Sequence, residues 1–206
     1  MHLNKEGDSM ELNKLEFYMM NNPMRHWLQK NIEFKAFKEF LDKHGLSLEG
    51  KVVLDAGCGS GYSTKLIQEF SPAELIGFDL MPLQIEKAKQ KYSELDFFVG
   101  DVLDTQLDSD KFDAVFVFGI LHHIPTWKDA IKELFRTLKP GGVLLVEDLN
   151  KDASHFFATY MKFDHPPEAY FTWDEFTHHL EETGFTILEQ KKIISNGVRS
   201  FLCLKS

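Results

Sequence analysis

One aspartate and three alternating glycines stand together in the segment Val52-Val-Leu-Asp-Ala-Gly-Cys-Gly-Ser-Gly-Tyr-Ser-Thr64. Glycine admits a ligand where a Cβ would collide, and a helix start presents free N–H groups. Asp55, Gly57, Gly59 and Gly61 could therefore cradle a polar small molecule. The acid stands before the loop, where it could hold a positively charged amino group and would repel a pyrophosphate. A dinucleotide fingerprint runs G-x-G-x-x-G with its acid about 20 residues further on. Here Tyr62 falls where the third glycine of that pattern would be.

Further chemistry-bearing residues end later strand-like runs. Glu74–Phe78 leads to Asp79, and Phe97-Phe98-Val99-Gly100 leads to Asp101. The apolar run 112–118 is followed by Gly119-Ile-Leu-His-His-Ile-Pro125. An imidazole titrates in the range useful for proton transfer, provided it reaches the proton it must take. His122 and His123 are thus candidate bases. They are equally candidates for substrate or cofactor contact, or for a structural role at the helix near Pro125 and Trp127. Metal ligation is disfavoured, because neighbours in an extended segment point apart.

The elements that must position these groups alternate. Short apolar runs begin at Val52, Glu74, Phe97, Phe112 and Val143, and helical spacings fall between them. Pro82 marks a helix start, and Pro140-Gly141-Gly142 stops the helix predicted over 126–138. Two short helical pieces are expected around Asn21-Asn22-Pro23, then a helix over 32–44 ending at Gly45. The stretch 101–112 is read as a loop or one turn. Asp152 is expected to cap a helix bearing Phe156, Phe157, Tyr160 and Met161, which His165-Pro-Pro167 would end. Thr172 and Glu175 form a capping box for a helix closed by Gly184. Phe185–Ile194 and Arg199–Lys205 read as a strand pair joined through Asn196-Gly197. The alternation predicts a doubly wound, mostly parallel α/β sheet of seven strands, the last antiparallel, with helices on both faces. N-terminal helices and a helical insertion after strand five complete it. Ligands of such sheets bind at the carboxyl ends of the strands, at the switch point, which is where Asp55, Asp79, Asp101 and Gly119 fall.

These motifs, in this order, resemble those of the class I S-adenosylmethionine (SAM) dependent methyltransferases, over 52–149 and again over 172–206. The resemblance implies a Rossmann-like fold and SAM as cofactor, with S-adenosylhomocysteine as its product. It implies that Asp55 orients the loop and the methionyl ammonium, that Asp79 accepts the ribose hydroxyls, and that Asp101 and Val102 meet the adenine, flanked by Leu80 and Met81. Gly57, Gly59 and Gly61 would admit the methionyl and ribose portions, and Phe118 and Gly119 would run along the methionine arm. His122 or His123 would line the active site. One methyltransferase domain is expected, divided into a helical cover (1–48), a SAM-binding core (49–149), a lid insertion (150–171) and a C-terminal helix with strand pair (172–206).

The acceptor is expected to be a small molecule presenting an O, N, S or C nucleophile. The Leu-His-His-Ile-Pro segment is similar to the metabolite branch that includes quinone-biosynthesis enzymes. The aromatic residues Tyr18, Trp27, Phe156, Phe157 and Tyr160 are candidates to enclose the acceptor, though amphipathic helices more commonly bury such residues in core packing. Arg25 could hold a cofactor or substrate carboxylate. A net charge of −9, with 23 basic and 32 acidic residues, argues against nucleic acid as partner. Two distant cysteines, Cys58 and Cys203, give neither a disulfide framework nor a metal pattern. No apolar run is long enough for a membrane span, so a cytoplasmic setting is expected; oligomeric state is left open. The alternatives are a protein methyltransferase, a non-catalytic SAM-binding regulator and a nicotinamide-dependent oxidoreductase, the last opposed by the glycine spacing and Asp55.

Overall fold

A computed structural model of the chain describes residues 22–161, 166–194 and 196–206. Five strands come first: β1 (Val52–Ala56), β2 (Glu74–Asp79), β3 (Asp96–Val99), β4 (Phe112–Phe118) and β5 (Leu138–Leu149). They pair in parallel. β6 (Phe185–Ile194) and β7 (Val198–Lys205) close the sheet, which runs β3-β2-β1-β4-β5-β7-β6. β7 is antiparallel to both its neighbours, because the tight β6–β7 connection reverses the chain. The expected doubly wound, seven-stranded sheet is the one observed. Strand order turns between β1 and β4, so a crevice opens at their carboxyl ends.

Period-two alternation assigns the two faces. Val53, Ala114, Phe116 and Phe118 pack with α2 (Phe34–Lys43) and α3 (Tyr62–Ile67). Leu54, Val115 and Val117 pack with α5 (Trp127–Thr137) and α7 (Trp173–Thr183) on the other side. The remaining helix between strands, α4 (Pro82–Lys91), rests Ile85 and Ala88 against Tyr92 and Phe97. Among the described residues, no helix is long and apolar enough to cross a membrane.

Local signals account for most boundaries. α7 starts with the full Thr172–Glu175 capping box and ends at Gly184, which has a left-handed backbone. Three boundaries differ from expectation. Asn22 accepts a hydrogen bond from the Arg25 N–H at 2.8 Å and caps α1 (Pro23–Leu28). α1 then runs through a π-turn, Gln29–Glu33, directly into α2, so the pieces expected over 24–31 and 32–44 are one helix. Asn150, not Asp152, caps α6 (Lys151–Phe156), because its side chain reaches the Ala153 N–H at 3.1 Å. β5 begins at Leu138 rather than Val143, since Leu138 already pairs with Phe112.

Candidate functional site

β1 delivers Asp55 fully buried to the floor of the crevice. Its Oδ2 accepts hydrogen bonds from Ser63 Oγ and Thr64 Oγ1, each at 2.6 Å. Its Oδ1 is buried without a partner among the described residues. Burial pushes Asp55 up to about 6, with the two hydroxyls pulling down and Asp79 adding upward. At the end of β2, Asp79 closes the loop from the other side. Its Oδ2 accepts the Gly59 N–H at 3.0 Å and its Oδ1 the Met81 N–H at 2.9 Å. A carboxylate has about four lone-pair positions, so acceptor capacity remains.

The three loop glycines have different surroundings. A Cβ on Gly57 would stand 2.6 Å from Ile120, and one on Gly61 2.9 Å from Phe97 and 3.0 Å from Tyr92. A Cβ on Gly59 would meet nothing within 4 Å. The expectation that all three clear space for a ligand is thus corrected in part: side-chain room is open at Gly59, while at Gly57 and Gly61 it is taken by the protein itself. Gly57, Cys58, Gly59 and Ser60 line a small cavity of about 50 Å³ with Phe118, Gln84, Arg25 and Gln29. Gln84 Oε1 is a second buried acceptor without a partner among the described residues.

At the other end of the crevice Asp101 is exposed, and its Oδ1 accepts the Leu103 N–H at 2.9 Å. Leu80 is exposed and Met81 half-buried. Val102 is buried in the main core, so its side chain packs inward rather than flanking an open site.

The N-terminal helix covers the loop. His26 stacks on Tyr62 with ring centroids 4.0 Å apart. Arg25 Nη1 donates to both carboxylate oxygens of Glu33, at 2.7 and 2.9 Å. Burial opposes the guanidinium charge, but Glu33 and then Glu147 hold Arg25 above its ordinary range. Gln29 and Glu33 are both buried, and the π-turn they bracket re-aims that helix face toward the sheet. Such turns are frequent at functional sites. Sequence periodicity had no means of locating it, because an inserted π residue disrupts the 3.6 repeat.

Beyond β4, the segment Leu121–His123 is a 3₁₀ turn. The two histidine rings consequently face each other at 4.1 Å, correcting the expectation that neighbours here point apart. His122 is buried, and its Nδ1 lies 2.6 Å from Asp148 Oδ1. Asp148 also accepts the N–H groups of Leu121 at 2.8 Å and Leu149 at 2.7 Å. His123 is half-buried.

Trp27 is 58%, Phe156 53% and Tyr160 72% exposed, so none of these rings is packed into the core. Phe157 is half-buried and lies 5.7 Å from Phe156. The π-turn 157–161 holds Phe157 and Tyr160 on a helix outside the core. Tyr18 lies outside the described residues.

A parallel sheet of this order, with acids at the ends of β1 and β2 and a glycine loop between β1 and α3, defines the class I SAM-dependent methyltransferase fold. Residues 54–146 match the family model described as a methyltransferase domain. It is 29% identical over 163 residues to a sterol 24-C-methyltransferase of Kluyveromyces lactis, an alignment covering 72% of this chain and 44% of that one. The chain thus spans less than half the length of that relative. A SAM-dependent methyltransferase from Aquifex aeolicus superposes with a TM-score of 0.71 at 19% identity, covering 92% of this chain and 97% of the other. A geranyl diphosphate C-methyltransferase from Streptomyces coelicolor, solved with S-adenosyl-L-homocysteine, gives 0.69 at 15% identity, covering 84% and 76%.

Two outcomes follow from the loop geometry. Gly61→Ala should cost about 2–4 kcal/mol in denaturant unfolding, from left-handed backbone strain plus overpacking. Gly59→Ala should cost about 1–2 kcal/mol, from the backbone alone. Equal losses would contradict the crowding at Gly61. For Asp55, the folded chain keeps a proton that the unfolded chain releases between the ordinary 3.8 and about 6. Stability should therefore fall as pH rises through that window, by about 3 kcal/mol for this group. Asp55→Asn should flatten that part of the pH–stability curve; an unchanged slope would assign it to other groups.

Proposed function

We propose that this chain transfers the methyl group of SAM to a small-molecule acceptor with an O, N, S or C nucleophile, releasing S-adenosylhomocysteine. The observation that carries the reading is the crevice at the ends of β1 and β4, where Arg25 and Gln84 line one cavity beside the glycine loop and the buried Asp55 lies beneath that loop. Asp55 Oδ1 and Gln84 Oε1 have nothing to accept from. Arg25 donates through one nitrogen to Glu33, and its other guanidinium nitrogens make no hydrogen bond among the described residues. An amino-acid zwitterion complements both sets: its ammonium satisfies acceptors, and its carboxylate takes the free guanidinium edge. The methionyl end of SAM is such a zwitterion. The open space at Gly59 and the spare lone pairs of Asp79 suit a ribose, and Leu80 and Asp101 stand where an adenine would follow.

When bound, SAM supplies a methyl on a sulfonium, a leaving group already activated by its charge. The protein's tasks are alignment and exclusion of water, and well-oriented pairs gain roughly 7–11 kcal/mol from proximity. His26 on Tyr62 closes the helical cover over the loop. His122 is the base of choice for an acceptor that must lose a proton: Asp148, held by two backbone N–H groups, fixes the ring and its tautomer. The His123 ring lies tilted against it, centroids 4.1 Å apart. We assign 150–171 as a lid on the acceptor side, and a cytoplasmic setting for the enzyme. The small-molecule branch draws support from the sterol relative, itself a small-molecule methyltransferase by name.

Calorimetry with S-adenosylhomocysteine tests the reading. Binding is expected near micromolar, about −8 kcal/mol, and Asp79→Ala should weaken it by about 2–4 kcal/mol through loss of two charge-assisted bonds. No heat at millimolar ligand, or an unchanged affinity in the variant, would overturn the assignment. With an acceptor drawn from a metabolite panel, His122→Ala should lower the rate by about 10²–10⁴-fold. S-adenosylhomocysteine affinity should hold, and added imidazole should restore part of the rate. A wild-type rate would remove His122 as base.

A further inference from the structure

The chemistry proposed above leaves one buried group unused. Glu147, at the end of β5, is 3% exposed. Its neighbour Asp148 is saturated by two N–H groups and His122. The carboxyl of Glu147 receives no hydrogen bond from any described residue. A nearly buried carboxyl that takes no protein donor remains available to a ligand that brings one.

The direction it faces is defined by register. Glu147 pairs with Phe118 of β4 on one side and Ser200 of β7 on the other. Cross-strand partners share a face, so all three lie on the face covered by the N-terminal helix. Phe118 lines the crevice cavity. Glu147 Oε2 would be 3.7 Å from a Cβ on Gly119, and nothing nearer stands there. The absent side chain of Gly119 thus leaves the carboxyl open toward the crevice, beside His122 Cε1 at 3.9 Å from the same point.

The charged groups around Glu147 are Glu33 and Arg25 from the helical cover and Asp148 and His122 from below. Arg25 is already matched by Glu33 at 2.7 Å, and His122 by Asp148 at 2.6 Å. Ser200 Oγ, buried without a partner among the described residues, adds only a neutral hydroxyl. Among these described carboxyls Glu147 is the one with no hydrogen-bonded ion pair, Arg25 acting on it only through space. Burial first, and then Glu33, pushes it well above the ordinary carboxylate range, with Arg25 pulling the other way. An acceptor that brings a cation would reverse that balance, whereas a carboxylate would worsen it.

We propose that Glu147 is a substrate-binding residue and that the acceptor carries an amine, held as its ammonium by the Glu147 carboxylate within reach of His122. This rests on the methyltransferase reading, since the crevice it adjoins is the proposed cofactor site. It narrows the acceptor from any small nucleophile to amine-bearing ones.

The test uses the full chain with and without S-adenosylhomocysteine and three probes of matched shape: benzylamine, benzyl alcohol and benzoate. Binding is read by ligand-observed magnetic resonance titration. Benzylamine should bind at least about tenfold more tightly than either analogue, the scale of one charge-assisted bond. In Glu147→Gln that preference should vanish, while S-adenosylhomocysteine affinity stays within about twofold. Glu147→Asp, which withdraws the carboxyl by one methylene, should give an intermediate preference and guards against a misfolded amide variant. No amine preference in the wild type, or a preference that survives in the folded Gln variant, overturns the proposal. Absent S-adenosylhomocysteine binding with an intact, Glu147-dependent amine preference would sink the methyltransferase reading and spare this one.

Discussion

The site depends on a buried carboxylate that ties a strand to the helix after it. Asp55 leaves β1 and takes the hydroxyls of Ser63 and Thr64 in the first turn of α3. That pair of bonds sets how sharply the glycine loop turns, and the loop in turn sets where Asp79 can reach the Gly59 N–H. Fully burying an acid is costly unless its oxygens are satisfied. Two hydroxyls satisfy one oxygen, and the other is buried with no partner among the described residues, so the residue that shapes the turn keeps an acceptor unused. Structure and binding share one group.

The loop divides its glycines accordingly. Gly61 is a point of close packing between α3 and the Tyr92–Phe97 cluster, and Gly57 makes room for Ile120. Of the three, only Gly59 has open space where a Cβ would stand, although Gly57 also lines the cavity. The motif therefore combines packing contacts with positions that border the site. Substitutions at its three glycines have different physical causes, even where they end in the same loss of function.

The N-terminal helix supplies the other half of the crevice. Its π-turn brings Arg25, Gln29 and Glu33 to bear on the sheet, and the buried Arg25–Glu33 pair lies beside Glu147. Such a pair adds little net stability once desolvation is counted. What it contributes is a cation of fixed position over the loop and a charge balance that leaves Glu147 unmatched. The cover therefore influences both the proposed cofactor end and the proposed acceptor end.

The sequence by itself determined the sheet, its order of elements and the placement of Asp55, Asp79 and the glycine loop at strand ends. These follow from local periodicity, turn residues and the rule that α/β ligands sit at carboxyl ends, none of which needs distant contacts. The capping box at Thr172 and the antiparallel close of β7 were legible for the same reason. Only the tertiary structure decided which side chains converge. The His122–Asp148 pair joins residues on separate elements, and Glu147 is distinguished from Asp148 only by what surrounds each. Val102, in the turn after β3, packs into the core, while Trp27, Phe156 and Tyr160 stand largely in solvent. Local pattern specifies elements; burial, charge balance and reach are sums over residues far apart in the chain, and those sums exist only once the elements have packed.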